Sequence, residues 1–199
     1  MPERGPHKFP EGKDLDFHFD RSWSVCSQWD REPAYKEWIG LSPGVKGVDF
    51  LGLRAGPKEK LYLIEVKYYL GSEQDPKTQG RLANGGADLL DIVVAKVRNT
   101  VIGLITVART DPAWRACMKH LTERGLWVVL WIEHRDLRER SPGRVKQRKS
   151  LDTILLDGLK RRCRWFTTDV AIRFIGGADI PGLEVCSRAG ARGTRGRPV

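Results

Sequence analysis

Gly47-Val48-Asp49-Phe50-Leu51-Gly52-Leu53 and Leu61-Tyr62-Leu63-Ile64-Glu65-Val66-Lys67 are two apolar runs that carry β-branched residues. The polar stretch between them, Arg54-Ala55-Gly56-Pro57-Lys58-Glu59-Lys60, has the Gly-Pro signature of a turn, so the segment reads as an antiparallel hairpin. Side chains alternate along a strand, which puts Asp49, Leu51 and Leu53 on one face and Leu61, Leu63, Glu65 and Lys67 on one face of the partner. If Leu53 pairs with Leu61, then Leu51 meets Leu63, Asp49 falls opposite Glu65, and Gly47 lies across from Lys67. Opposed Cβ atoms are roughly 4.5 to 5.5 Å apart, and like charges at that range destabilise a sheet. A hard divalent cation would compensate, because Mg²⁺ is held by one or two carboxylates plus waters and phosphate oxygens. Lys67, next on that face, would aim its ammonium at the metal's water or at a phosphate. The plainer alternative makes these three ordinary charges on a solvated strand face. The leucine pairs beneath them, and an aspartate set against a glutamate, argue for the site.

Asp49, a short hairpin and then Glu65-Val66-Lys67 resemble the PD-(D/E)xK nuclease superfamily, with Val48 standing where the motif's name has proline. The resemblance implies a restriction-endonuclease-like α/β fold, a three-layer core whose mixed central sheet is flanked by helices. It also implies a Mg²⁺-dependent phosphodiesterase, with Mn²⁺ as a substitute. Asp49, Glu65 and the backbone carbonyl of Val66 would then hold the metal, and Lys67 would orient or deprotonate the attacking water. In such proteins a helix before the hairpin often supplies a further acidic residue, for which Asp30 and Glu37 are the candidates, each equally well read as surface charge. Some relatives carry a glutamine on the helix after the hairpin, which points to Gln79, although the tyrosine that completes that motif is replaced by Ala83.

The 199 residues suffice for one sizeable core, and a hydrophobic content of 40% suits a globular chain. A net charge of +10 favours a polyanionic partner, DNA first and RNA as the alternative, because clustered Lys and Arg release counterions from phosphates. No uncharged run approaches a membrane span, and the first residues have no apolar signal core, so no membrane partner and a cytoplasmic location are expected. Cys26, Cys117, Cys163 and Cys186 are too scattered for a zinc site or a disulfide framework. No phosphate-binding loop, dinucleotide fingerprint or G-x-S-x-G elbow is present, which removes the anchors of the common NTPases, dinucleotide enzymes and serine hydrolases. His120 and His134 have no partners in sequence that would make them catalytic.

Outward from the hairpin, residues 1–28 read as an N-terminal arm, loose over 1–15, with Asp16-Phe17-His18-Phe19-Asp20 as an added strand or loop. Trp29 to Gly40 reads as a short helix presenting Tyr35, Trp38 and Ile39 to the sheet. Pro76 opens a helix bearing Gln79 and Arg81, which Gly85-Gly86 bends or splits. Val101 to Ala108 reads as a buried strand, 111–125 as a helix and Leu126 to Ile132 as a further buried strand. A basic loop at 135–150 carries Arg138, Arg140, Arg144, Lys146, Arg148 and Lys149, as a phosphate-gripping flap or a solvated linker. A helix over 151–163 and a strand over 170–175 follow, and 187–199 is an Arg/Gly tail expected to be disordered. A single domain over 29–186 results. The expected activity is cleavage of DNA. A catalytically silent nucleic-acid-binding or assembly subunit is the alternative, and a homodimer or a targeting partner would supply specificity.

Overall fold

The structure is a computed structural model that describes residues 6–12, 14–38, 44–56, 59–122, 125–138 and 151–188. In chain order the strands are β1 (His7–Glu11), β2 (Leu15–Phe19), β3 (Trp23–Gln28), β4 (Phe50–Arg54), β5 (Lys60–Tyr68), β6 (Leu126–Glu133), β7 (Val170–Arg173) and β8 (Leu183–Ser187). The helices are α1 (Pro33–Trp38), α2 (Pro76–Thr110), α3 (Arg115–Thr122), α4 (Arg135–Arg138) and α5 (Leu151–Cys163).

The hairpin lies inside a mixed sheet of order β3-β4-β5-β6-β7. Strands β3, β4 and β5 are antiparallel, while β6 and β7 run parallel to β5. Leu53 pairs with Leu61, Leu51 with Leu63 and Phe50 with Ile64, the register the leucine pairs call for. Continued by one residue, it sets Asp49 against Glu65.

Each face of the sheet is dry. On one face Leu51, Leu63, Val128 and Leu130 pack against Leu89, Val93, Val97 and Leu104 of α2, Cys117 of α3, and Leu155 and Leu159 of α5. On the other, Phe50, Ile64, Val129 and Trp131 pack against Leu15, Phe17 and Phe19 of β2 and Leu183 of β8. The molecule is therefore mixed α/β in three layers. Among the described residues, helices cover one face of the central sheet and a small antiparallel sheet, β1-β2-β8, covers the other.

Three expectations are corrected. The segment 1–28 is no loose arm from residue 7 onward: β1 and β2 build the second sheet and β3 is an edge of the first. The alternation of Leu15, Phe17 and Phe19, all essentially inaccessible, is the strand signal that carries this. Val101 to Ala108 is not a strand but the last turns of α2. Leu104, Val107 and Ala108 are buried while Ile102 and Ile105 are 56% and 41% exposed, a helical stripe that a run of β-branched residues disguises. Ser187 and Arg188 are ordered: Ser187 pairs with Leu15, and the Arg188 side chain binds Asp16 at 2.7 Å. Residues 189–199 lie outside the described residues.

The glycine pair does split α2. Ala83 to Gly86 leave helical geometry, with positive φ at Asn84, Gly85 and Gly86. The break gives a short first arm capped by Asp75, whose carboxylate accepts from Lys77 N at 2.7 Å, and a long second arm that lies over the sheet.

Candidate active site

Asp49 directly precedes β4, where three contacts fix the backbone that delivers it. The Tyr35 hydroxyl accepts from Gly47 N at 2.7 Å, Thr100 Oγ1 accepts from Val48 N at 2.9 Å, and the Asp49 carbonyl accepts from Trp29 N at 2.9 Å. Two different helices and the 3₁₀ turn that follows β3 thus hold one short segment. The Asp49 carboxylate then crosses the hairpin, with Oδ2 accepting from the Val66 amide at 2.6 Å.

Glu65 is fully buried on the helix-covered face. Lys67, two residues further on that face, gives its ammonium to Glu65 Oε1 and lies 3.2 Å from the Val66 carbonyl. A second ammonium arrives from α2. Lys96 Nζ is 2.9 Å from Glu65 Oε2, 2.7 Å from Glu65 Oε1 and 3.3 Å from Asp49 Oδ1, so one cation bridges the opposed carboxylates.

Burial pushes the Glu65 pKa up to about 7; the charge of Asp49 adds to this, and Lys67 and Lys96 act against it. Burial works to lower the pKa of Lys96, but the charges of Glu65 and Asp49 more than offset it and the pKa ends raised. Asp30, in the short 3₁₀ turn after β3, has its pKa raised by desolvation and by the charge of Asp49. Glu11, at the end of β1, is raised by burial and then by the charges of Asp49 and Asp30, while Gln28 Nε2 donates to it at 3.0 Å.

Of the residues named from sequence, Asp49, Glu65, Val66 and Lys67 come together, with Asp30 within electrostatic range. Glu37 is exposed on α1 with no contact to them among the described residues. Gln79, on the first turn of α2, is exposed and donates to Gln74 Oε1 at 3.2 Å instead of reaching the carboxylates. Arg81 lies near Tyr69, whose pKa burial raises and the Arg81 charge lowers. Arg138 closes α4, while Arg140, Arg144, Lys146, Arg148 and Lys149 fall outside the described residues. Glu133, at the end of β6, is wholly buried and accepts from Trp131 Nε1 and Ile175 N, both at 2.8 Å, which is a structural duty.

Sequence reading missed Lys96, Thr100 and Glu11. Lys96 lies among the buried positions Val93, Val97 and Thr100, an unusual place for a lysine on an amphipathic helix, and that was the available signal. Glu11 carried none.

Beside the carboxylates a cleft of about 420 Å³ is lined by Asp30, Tyr35, Lys36, Lys46, Gly47 and Lys96. Three lysines at its wall suit a phosphodiester strand. A larger cavity, about 600 Å³, lies over Trp131 and Phe174 and holds none of these groups, so chemistry and not volume locates the site.

The donor set suits a hard cation. Asp49 and Glu65 already converge on one positive charge, and the Val66 carbonyl accepts from Lys67, which also holds Glu65. No trio of His, Cys, Asp or Glu is arranged to hold a metal among the described residues. Such a set fits an ion that takes the rest of its shell from water and phosphate oxygens, as Mg²⁺ does, better than one needing a full protein cage. Among the described residues no helix is long and apolar enough to cross a membrane. No family model, no curated protein and no solved structure matches the chain.

Proposed function

We propose that this chain is a divalent-metal-dependent nuclease of the PD-(D/E)xK type that hydrolyses DNA. The observation carrying the reading is that carboxylates from two paired strands meet one cation, with Lys67 beside them. A mixed five-stranded sheet of the described residues, with the site at one end of its antiparallel hairpin, is compatible with a restriction-endonuclease-like fold. Asp49, Glu65 and the Val66 carbonyl would hold Mg²⁺ or Mn²⁺. The bound ion would polarise the phosphoryl oxygen and acidify a water. Lys67, fixed between Glu65 and the Val66 carbonyl, positions that water and neutralises charge gathering on phosphorus as the water oxygen bonds to it and the bond to the sugar oxygen breaks. Lys36 and Lys46 grip the flanking phosphates from the cleft wall.

Purified protein with Mg²⁺ or Mn²⁺ is expected to cut single- or double-stranded DNA, and Glu65→Ala and Lys67→Ala to lose about 10²-fold or more of that rate while keeping a cooperative melt. Cutting that continues unchanged in both variants sinks the assignment.

One observation favours the second reading, a nucleic-acid-binding subunit without chemistry. Lys96 already neutralises the carboxylate pair from the position a metal would take. Titration of Mn²⁺ decides between them. The nuclease reading expects binding to the wild type, its loss in Asp49→Asn and its strengthening in Lys96→Met. The binding reading expects no ion uptake, together with nucleic-acid affinity that falls with salt.

A further inference from the structure

The other face of the same hairpin carries the opposite charge problem. Phe50, Gly52 and Arg54 alternate with the leucines of β4 as Lys60, Tyr62 and Ile64 do with those of β5, and the register sets Arg54 directly across from Lys60. Two cations so opposed repel each other. Arg173, the last residue of β7, joins them. The three cations, with Tyr62 and Trp127 as aromatic walls, line a pocket of about 220 Å³. Ile180 and Pro181, in the turn before β8, close it.

Neighbouring groups offset part of this charge. Lys60 Nζ is 3.5 Å from Asp169 Oδ2 and lies 4.2 Å over the Trp127 ring, while the Trp127 indole donates to the same carboxylate at 2.8 Å. Arg173 Nη1 donates to the Ile172 carbonyl at 3.0 Å, and Asp179 faces Arg173 from the pocket wall. The Nε–H groups of both Arg54 and Arg173 remain buried with no acceptor among the described residues. Two guanidiniums beside a third cation in one pocket call for a ligand with several acceptor oxygens and negative charge. The planar donor fork of arginine matches phosphate in this respect. The volume is well above the roughly 30 Å³ of one water in the liquid.

We propose that this pocket binds a phosphate group, borne by a free nucleotide or by a nucleic-acid strand. Arg54 and Arg173 donate to its oxygens through their terminal Nη nitrogens, Lys60 counters its charge, and the half-buried Trp127 borders the adjoining sugar or base. The site is separate from the carboxylates. It opens on the opposite face of the sheet, and Lys60 stands seven residues before Lys67 on β5, about 23 Å at about 3.3 Å per residue. It does not rest on the nuclease reading.

The test is calorimetric titration of inorganic phosphate, AMP and a short end-phosphorylated oligonucleotide into the full chain and into Arg54→Met, Arg173→Met and Asp49→Asn, with thermal melts to show that each variant is folded. The wild type and Asp49→Asn are expected to bind at millimolar concentration or below, and both arginine variants to bind about tenfold more weakly or worse. In the wild type and in Asp49→Asn, the ligand is expected to shift the Trp127 indole N–H resonance, assigned with Trp127→Phe. Equal affinity for AMP and the oligonucleotide identifies a free nucleotide as the source, and tighter oligonucleotide binding identifies the strand. The proposal is overturned if none of the three ligands binds the wild type at millimolar concentration, if both folded arginine variants bind as the wild type does, or if the Trp127 resonance stays in place.

Discussion

At the scale of single residues, Glu65 sets the pH behaviour of the site. Its pKa of about 7 stands above the ordinary carboxylate value of 4.5, so the folded state keeps a proton that the unfolded chain has already released. The contribution of Glu65 to stability is therefore fully present below the ordinary value, and it is lost as pH climbs through about 7. A divalent ion takes the ionised carboxylate, so its affinity runs the other way and should weaken up to about tenfold for each unit below that pKa. Thermal melts at about pH 5.5 and about pH 8 should show the metal-free protein melting lower at the higher pH, and Mn²⁺ raising the midpoint more there. A Mn²⁺ effect equal at both pH values would show that Glu65 is not a ligand. The carboxylate pair was legible because two leucine pairs fix the hairpin register and carry Asp49 and Glu65 with them. Lys96 was marked only by its place on the apolar stripe, and it gains meaning only when the chain crossing lays that helix over Glu65.

At the scale of elements, the break in α2 decides what α2 can touch. Gly86 has φ +75°, and a Cβ there would come within 2.6 Å of Leu155 Cδ2 on α5. From the α5 side, a Cβ on Gly158 would meet Leu90 Cδ1 at 2.5 Å, so the two helices cross on glycines. Gly86→Ala should cost at least about 1–2 kcal/mol from the left-handed backbone alone, with the collision at Leu155 added, and chemical denaturation would read this as a lower midpoint at unchanged slope. A midpoint within experimental scatter of the wild type would mean that the helices separate freely there. The sequence announced the break through its glycines. It concealed the continuation: Val101 to Ala108 carries β-branched residues at five of its eight positions, and only the exposure of Ile102 and Ile105 identifies the run as helix. Strand propensity measures fit to a half-buried pleated surface, and a helix packed over a sheet draws on the same residues.

At the scale of the whole molecule, the second sheet is what separates the observed architecture from the expected one. Leu15, Phe17 and Phe19 cover Phe50, Ile64 and Trp131, and burying each such side chain is worth about 1.5–3 kcal/mol. Removing residues 1–20 should therefore give a protein that binds a hydrophobic dye and aggregates on concentration. A truncated chain with the melting midpoint of the full one would restore the idea of a dispensable arm. The aromatic alternation of β2 was visible in sequence, but its partner was not. β8 is a short, half-polar strand, and the pairing of Phe19 with Leu183 joins positions separated by 183 − 19 = 164 residues.

That pairing governs how the molecule comes into being. A ribosome adding about 5–20 residues per second needs roughly ten seconds or more to travel from β2 to β8, and throughout that interval the middle strand of the outer layer has a partner on one edge only. Until β8 emerges, Phe17 and Phe19 sit in a layer with one open edge, which makes the nascent chain a natural client for holding chaperones.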